Sequence, residues 1–529
     1  MTDNQPPPLV DYNLFDTDRV LVEGLRREGA AAFEERTREV GALAGKPEWI
    51  ERGFEANRFP PELRTRDRFG FPLDEVHYHP SWHELMKKAT SWGLHASSWR
   101  EPHDGAHVAR AAQFYLWSQV EAGHGCPISM THAAIPALRV QPGVAALWEP
   151  KLLALGYEPA LAPLAEKRSA LCGMAMTERQ GGSDVRANTM RAEPLGVDGE
   201  YALSGEKWFC SAPMCDAFLT LAQAPGGLSC FLLPRMLPNG EKNAISIVRL
   251  KDKLGNRSNA SSEIALDGAF ALLVGEEGRG VQTIIEMVNH TRLDCMVGSA
   301  ALMRQAVAQA THHARYRNAF GAALAAQPLM QNVLADLALE SEAATTFMLR
   351  VSRACDLAPV DAHEAHVKRL GTALGKYWIC KRAPAHVAEA LECLGGNGYV
   401  EESVMPRLYR ESPLNSIWEG AGNVNALDVL RALRHTDSVD AYLREIEPLK
   451  ERRDTILAML RDEGLERNAR RAVETMTLVW QGSLLLRHAP QAVAEAFVAS
   501  RLQGDWGRAF GTLPAAVACG EILERATPR

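Results

Sequence analysis

The order of textures along the chain constrains its fold more than any single residue. Between about residues 171 and 277 the runs AFLTLAQA, LSCFLLP, AISIVRL and SEIALDG are short and apolar, bounded by Gly, Pro, Asn and Asp. Turn signals recur roughly every ten residues, which predicts an all-β module. On either side the periodicity is helical. Residues 1–170 read mainly as helices joined by Pro- and Arg-rich loops, with helical segments at 110–120 and 143–156 and an extended connection over 47–68. From Gly278 onward long segments cover 279–316, 328–356, 361–394, 422–434 and 438–461, with more helix after 466. Long helices joined by short breakers suit a bundle. The expected fold class is therefore α+β and multidomain. It comprises an N-terminal helical domain (1–170), a central β-barrel-like domain (171–277), a helical bundle (278–434) and a helical extension (435–529). Crevices at the two junctions are the natural ligand sites.

At 529 residues the chain is too long for one hydrophobic core. A formal net charge of −7 argues against a wholesale nucleic-acid binder, leaving room for a local basic patch. The 10 cysteines are scattered, with no CxxC and no Cys/His group at zinc spacing. Reduced thiols in a cytoplasmic protein without a metal centre are the expectation. No apolar run has the length of a membrane span, and the acidic, Pro-rich start MTDNQPPPLVDYNLFDTD is unlike a signal peptide.

Five stretches carry candidate chemistry, each with an ordinary structural alternative. In MAMTERQGGSD (174–184), Thr177, Ser183 and the backbone at Gly181-Gly182 can present donors to a phosphate or a polar ring edge; a turn between strands is the alternative. In LSGEKWFCSAP (203–213) two adjacent aromatics lie on opposite faces of a strand, one toward the core and one toward a crevice or solvent. LECLGGNGY (391–399) is either a helix C-cap or a backbone loop pressed on a ligand. Arg317 in RYRNAFG can clamp a diphosphate or sit solvated at a helix end. Finally, NSIWEGAGN (415–423) sets one carboxylate, Glu419, between an indole and a flexible Gly-x-Gly. Desolvation by such a wall raises a carboxylate's proton affinity and turns it into a base; an ion pair with Arg431 is the alternative.

Taken in order, TE-x-x-GGSD, GEKWF, KLGNRSNAS (253–261), RxxFG, GGNGY and WEG resemble the acyl-CoA dehydrogenase family of flavoproteins over about residues 110–434. Within it, NQPPPLVDYNLFDTDRV, SQVEAGHGCPISMTHA, MTERQGGSD, RLKDKLGNRSNAS and RLYRESPLNSIWEGAGN look most like the AidB branch, flavoproteins of the bacterial adaptive response to alkylation damage. The resemblance implies a helical domain, a β-barrel-like domain and a four-helix bundle with an extra helical tail. It implies FAD between barrel and bundle, sites shared by two subunits, and a homotetramer built as a dimer of dimers. Met176 and Thr177 would meet the flavin edge, Gly182 and Ser183 the diphosphate, and Phe209 and Ser211 the isoalloxazine. Arg317, Phe320, Glu392, Gly395 and Gly396 would reach the neighbouring subunit's FAD, and Asn423 the adenine end. Glu419 would be the base that removes an α-proton while a β-hydride passes to flavin N5, with Gly420 beside the thioester carbonyl and Arg292 on the substrate side. The family's alternative base position holds Thr291. Asn289 and Phe209 stand where an acidic residue and a Trp are usual.

The tail carries the AidB-like alternative, a DNA-associated flavoprotein with weak or no turnover. Residues 432–529 hold as many Lys/Arg as Asp/Glu, yet Arg467, Arg470 and Arg471 form a stripe suited to duplex DNA or to a solvated helix face. The partners implied are an acyl-CoA or related thioester, further copies of the chain and, on the AidB-like alternative, duplex DNA, with no membrane association; no motif identifies the electron acceptor.

Overall fold

A computed structural model describes residues 4–528. The chain forms two compact units that cut across sequence order. One takes the N-terminal residues to Ile50, His103–Val120 and everything from Arg292; the other takes Glu51–Pro102 and Glu121–Thr291.

The second unit is built on seven strands: β1 (Cys172–Ala175), β2 (Arg191–Pro194), β3 (Glu200–Ser211), β4 (Ala217–Ala224), β5 (Gly227–Pro234), β6 (Ile245–Leu250) and β7 (Ser261–Val274). Neighbours run β4-β2-β3-β7-β5, and β5 pairs back onto β4, so the sheet closes. Parallel to β4 lies β1, while β6 pairs with β7. Closure removes most of the exposed edge that an open sheet would leave. The apolar runs of β4 and β5 are buried along almost their whole length. ISIVRL in β6 instead alternates buried and exposed at its start, as a strand with one wet face does. The expected extended connection at 47–68 is instead a helix, Pro47–Arg58, followed by a hairpin of Glu62–Arg66 with Pro72–His77. Pro47 opens that helix, where its missing N–H has no partner to lose.

Five helices organise the first unit and the link into it: α1 (Gly280–Tyr316), α2 (Pro328–Leu357), α3 (Ala362–Glu392), α4 (Gly422–Ala432) and α5 (Ala469–His488). Residues of α1 up to Thr291 cluster with the barrel and those from Arg292 with the bundle. In the extension, α5 turns Ala472, Val473, Met476, Val479 and Trp480 inward, and Trp480 meets Phe347 of α2 edge-on at 5.1 Å. Buried ion pairs tie the C-terminal residues to α2, Arg501 to Asp336 and Glu340 and Arg525 to Glu342, and Arg525 also pairs with the more exposed Glu23 of the N-terminal helix Arg19–Arg27. The helix expected over 438–461 breaks into Thr436–Glu445 and Arg453–Leu460, because Pro448 lacks an amide and Leu449 leaves the helical region (φ −120, ψ 36).

Candidate functional site

In the barrel unit the loop after β1 is shaped by a carboxylate turned inward. Glu178 is buried and accepts from the Thr189 amide (2.6 Å), the Thr189 hydroxyl (3.0 Å), the Met190 amide (3.2 Å) and Lys207 Nζ (2.9 Å). Lys207, fully buried on β3, also donates to Leu221 O at 2.8 Å. Burial pushes the proton affinity of Glu178 up, but the Thr189 amide and Lys207 outweigh it and leave it below the ordinary carboxylate value. Burial also lowers the Lys207 ammonium, against the pull of Glu178. This pair explains why TER and GEK occur together: one anchors the other.

The outer side of the same loop carries the residues assigned to the flavin. Thr177 is the hub. Its carbonyl accepts from the Trp208 amide at 2.8 Å, and a Cβ on Gly182 would lie 2.4 Å from its hydroxyl, so only glycine fits there. The β3–β7 register shifts between Lys207 and Cys210, leaving Trp208 and Phe209 outside the ladder. That bulge overrides strict alternation. Both rings share one cation, with Lys251 Nζ 3.6 Å from the Trp208 centroid and 4.7 Å from that of Phe209, and Phe209 stays 49% exposed. Met176 and Thr177 are half-buried, Gly182 and Ser183 exposed, and Ser211 meets the Ser261 hydroxyl at 3.0 Å.

In the bundle unit the WEG turn is held from behind by three helices. Trp418 Nε1 donates to Asn415 Oδ1 (2.9 Å), and Asn415 to Ser299 (3.2 Å), which fixes the indole beside Glu419. Glu419 and Gly420 both have left-handed backbones, φ +59 and +95. For Glu this costs on the order of 1 kcal/mol. Arg292 Nε of α1 donates to the Glu419 carbonyl at 2.9 Å. Lys376 Nζ of α3 reaches the Gly420 carbonyl at 3.0 Å, and Asn425 of α4 donates to the same oxygen. Arg292, Lys376 and Asn425 are all buried, so both carbonyls point inward. A trans peptide sets N–H opposite C=O. The amides of Gly420 and Ala421 therefore point outward, and among the described residues no acceptor meets the N–H groups of Gly420, Ala421, Gly422, Asn423 or Val424.

Arg292 is committed to this scaffold: Asp428 accepts from it at 2.8 Å and from Arg369 at 2.7 Å. Arg431 also pairs with Asp428, at 3.9 Å. Asn423 is exposed and accepts from Arg470 Nε at 2.7 Å. Arg470 therefore belongs to the start of α4, where its Nη2 and the Lys381 ammonium lie 3.3 and 3.4 Å from a Cβ built on Gly422. Arg467 precedes α5, and both it and Arg471 are exposed.

Elsewhere on the same unit, Arg317 follows α1 and donates to Asn4 O at 2.6 Å. A two-residue turn at Phe320 and Gly321 (φ +52 and +86) leaves the Phe320 ring 99% exposed. Glu392 ends α3, and open space surrounds Gly395 and Gly396. Asn397 donates to Gln5 at 2.8 Å, so the RxxF and GGNG motifs both meet the N-terminal segment.

Reasoning from sequence missed Lys376, Asn425 and Asp428 and left Glu178 and Lys207 without roles. The available signal was a lone charge in an apolar stretch, as Lys376 is in TALGKYWIC. Each unit taken by itself fits part of a flavin dinucleotide. In the barrel unit the open Phe209 face and the Thr177 hydroxyl suit a flat ring system; in the bundle unit the uncrowded Gly395 and Gly396, the amides at the start of α4 and cations such as Arg470 and Arg317 suit a diphosphate.

Three family models match in chain order: the adaptive response protein AidB N-terminal domain over residues 4–159, the acyl-CoA dehydrogenase middle domain over 173–269 and the acyl-CoA dehydrogenase C-terminal domain over 278–434. AidB of Escherichia coli (strain K12) is 50% identical over 444 residues, 84% of this chain and 82% of its own. Acyl-CoA dehydrogenase family member 11 of Caenorhabditis elegans is 31% identical over 414 residues, 75% of this chain and 66% of its own. The crystal structure of Caenorhabditis elegans ACDH-11 in complex with C11-CoA superposes with a TM-score of 0.86 at 26% identity, covering 95% of this chain and 93% of that one.

Proposed function

The chain belongs to the acyl-CoA dehydrogenase family of FAD-dependent oxidoreductases, on its AidB branch, and from that premise we propose that Glu419 is the base that removes the α-proton of an acyl-CoA thioester. The observation that carries this is the WEG turn: one carboxylate beside a fixed indole, next to outward amides that meet no acceptor among the described residues. Bound FAD supplies the hydride acceptor. This chain's residues do the rest. Outward amides at Gly420 and Ala421 polarise the thioester carbonyl and acidify the α-proton. Trp418 excludes water from the carboxylate. Arg292, held by Asp428, keeps the turn in place.

Met176, Thr177, Gly182, Ser183, Phe209 and Ser211 hold the cofactor from the barrel and Asn423 from α4. In a tetramer, Arg317, Phe320, Glu392, Gly395 and Gly396 serve a neighbour's FAD, a reading supported by the exposed Phe320 ring and the open glycines. No helix among the described residues is long and apolar enough to cross a membrane, in keeping with a cytoplasmic enzyme. C11-CoA, the ligand of the worm structure, is the first probe. Mixed anaerobically with the holoprotein it should bleach the flavin, and Glu419→Gln should slow bleaching about 1,000-fold while retaining FAD. Bleaching by the variant at the wild-type rate sinks the assignment.

A second reading, association with duplex DNA in an alkylation response, draws on the AidB identity and on exposed Arg467 and Arg471. The absence of a salt-dependent gel shift with duplex DNA contradicts it, and a shift that survives removal of both arginines contradicts the patch.

A further inference from the structure

We infer that Lys376 is a positioning residue for the reaction: from inside the bundle it locks the Glu419–Gly420 turn so that carboxylate and outward amides stay aimed together. The inference rests on the reading of Glu419 as the base.

Three observations carry it. Lys376 is only 1% exposed, yet among the described residues its ammonium donates to a backbone carbonyl, Gly420 O. Burying an ammonium to hold a neutral carbonyl is an expensive arrangement. Asn425 already donates to the same oxygen, so the carbonyl does not lack a partner. The charge itself must therefore matter. A counter-charge lies close by: on the buried Cys295 thiol, which burial pushes well above its ordinary value, Lys376 acts to lower the proton affinity and Glu419 to raise it.

Second, the turn needs a lock. Gly420 has no Cβ, and glycine at φ +95 turns its peptide over at little cost. Such a turn would reverse the Ala421 N–H and carry the donor away. A charged donor grips a carbonyl about twice as strongly as a neutral one. Third, the division of labour is clear. Arg292 fixes the peptide between Glu419 and Gly420, and Lys376 with Asn425 fixes the next one. Arg292 pairs with Asp428, a carboxylate it shares with Arg369 and Arg431, whereas no carboxylate pairs with Lys376 within 4 Å among the described residues. Its charge stays available to a turn that handles a carboxylate and a developing oxyanion.

The test compares Lys376→Met, Lys376→Arg and wild type as holoproteins. The expected result for Lys376→Met is FAD content unchanged, flavin reduction by C11-CoA slowed about 100-fold and KM altered less than threefold. Lys376→Arg should recover at least a tenth of the wild-type rate. Amide hydrogen exchange over residues 414–425 is the second readout, and Lys376→Met should speed it at least tenfold. A Lys376→Met rate within threefold of wild type with unchanged exchange overturns the inference. Should Lys376→Met fail to hold FAD, Lys376→Gln takes its place, with faster exchange supporting the lock and unchanged exchange refuting it. If wild type itself is not bleached by C11-CoA, the proposed reaction fails separately, and exchange over the turn still decides whether Lys376 holds it.

Discussion

The barrel and the bundle both use a buried lysine to shape a loop, and they use it differently. Lys207 lies 2.9 Å from Glu178, and the pair is further satisfied by the Thr189 and Met190 amides. Its charge is cancelled where it stands, and what remains is a shaped loop with Thr177 half-buried and Gly182 and Phe209 exposed. Lys376 faces a carbonyl instead, in a turn whose other anchor, Arg292, shares the Asp428 carboxylate with Arg369 and Arg431. A neutralised pair holds structure, whereas a cation left on a backbone oxygen keeps its field for the ligand. The barrel thus presents a shaped surface, and the bundle presents a polarised one.

The contrast makes graded demands. The largest stability effect belongs to the barrel. Lys207→Met leaves Glu178 buried without its cation and should lower stability by about 3 kcal/mol, read as a fall in melting temperature. Lys376→Met should cost much less stability and far more rate, and equal losses for the two variants would erase the distinction. Next comes acid sensitivity of the bundle. Burial raises the proton affinity of Glu340, but Arg382 and Arg501 outweigh it and bring the carboxyl down to about 2. Its contribution is present above the ordinary carboxylate value of 4.5 and is lost as pH falls toward 2. Glu340→Gln should flatten that limb of a stability–pH curve; an unchanged limb places the acid sensitivity elsewhere. Smallest is Arg470→Ala, which removes a charged donor from Asn423 and should loosen FAD about fivefold by equilibrium dialysis. Arg471→Ala, on the next residue, should leave FAD affinity alone. If instead Arg470→Ala spares FAD and abolishes a DNA gel shift, the residue belongs to a nucleic-acid patch.

How much of this was legible beforehand follows from where the signal lies. The α–β–α order was plain because period and turn chemistry are local properties. The helices α1 to α4 begin and end within two residues of the expected segments, each bounded by a break such as Gly278, Pro328 or Gly395. The segment at 47–68 was misjudged because Pro, Arg and aromatics suggest a loop, although Pro is favoured at a helix start. The aromatics at 208–209 could not be oriented, because a bulge is set by the partner strand β7. Glu419 stood out by its neighbours in sequence. Lys376, 43 residues earlier, did not, since nothing in a linear reading joins an ammonium in one helix to a carbonyl beyond the next turn. Arg470 read as part of a surface stripe for the same reason: its partner, Asn423, lies 47 residues away.

The most direct test of the central claim is a crystal structure of the FAD holoprotein with C11-CoA. A Glu419 carboxylate oxygen about 3–3.5 Å from the α-carbon, with the thioester oxygen on the outward amides of the 419–421 turn, is the expected result. A carboxylate turned away from the acyl chain, or amides bonded to protein instead of ligand, would contradict it.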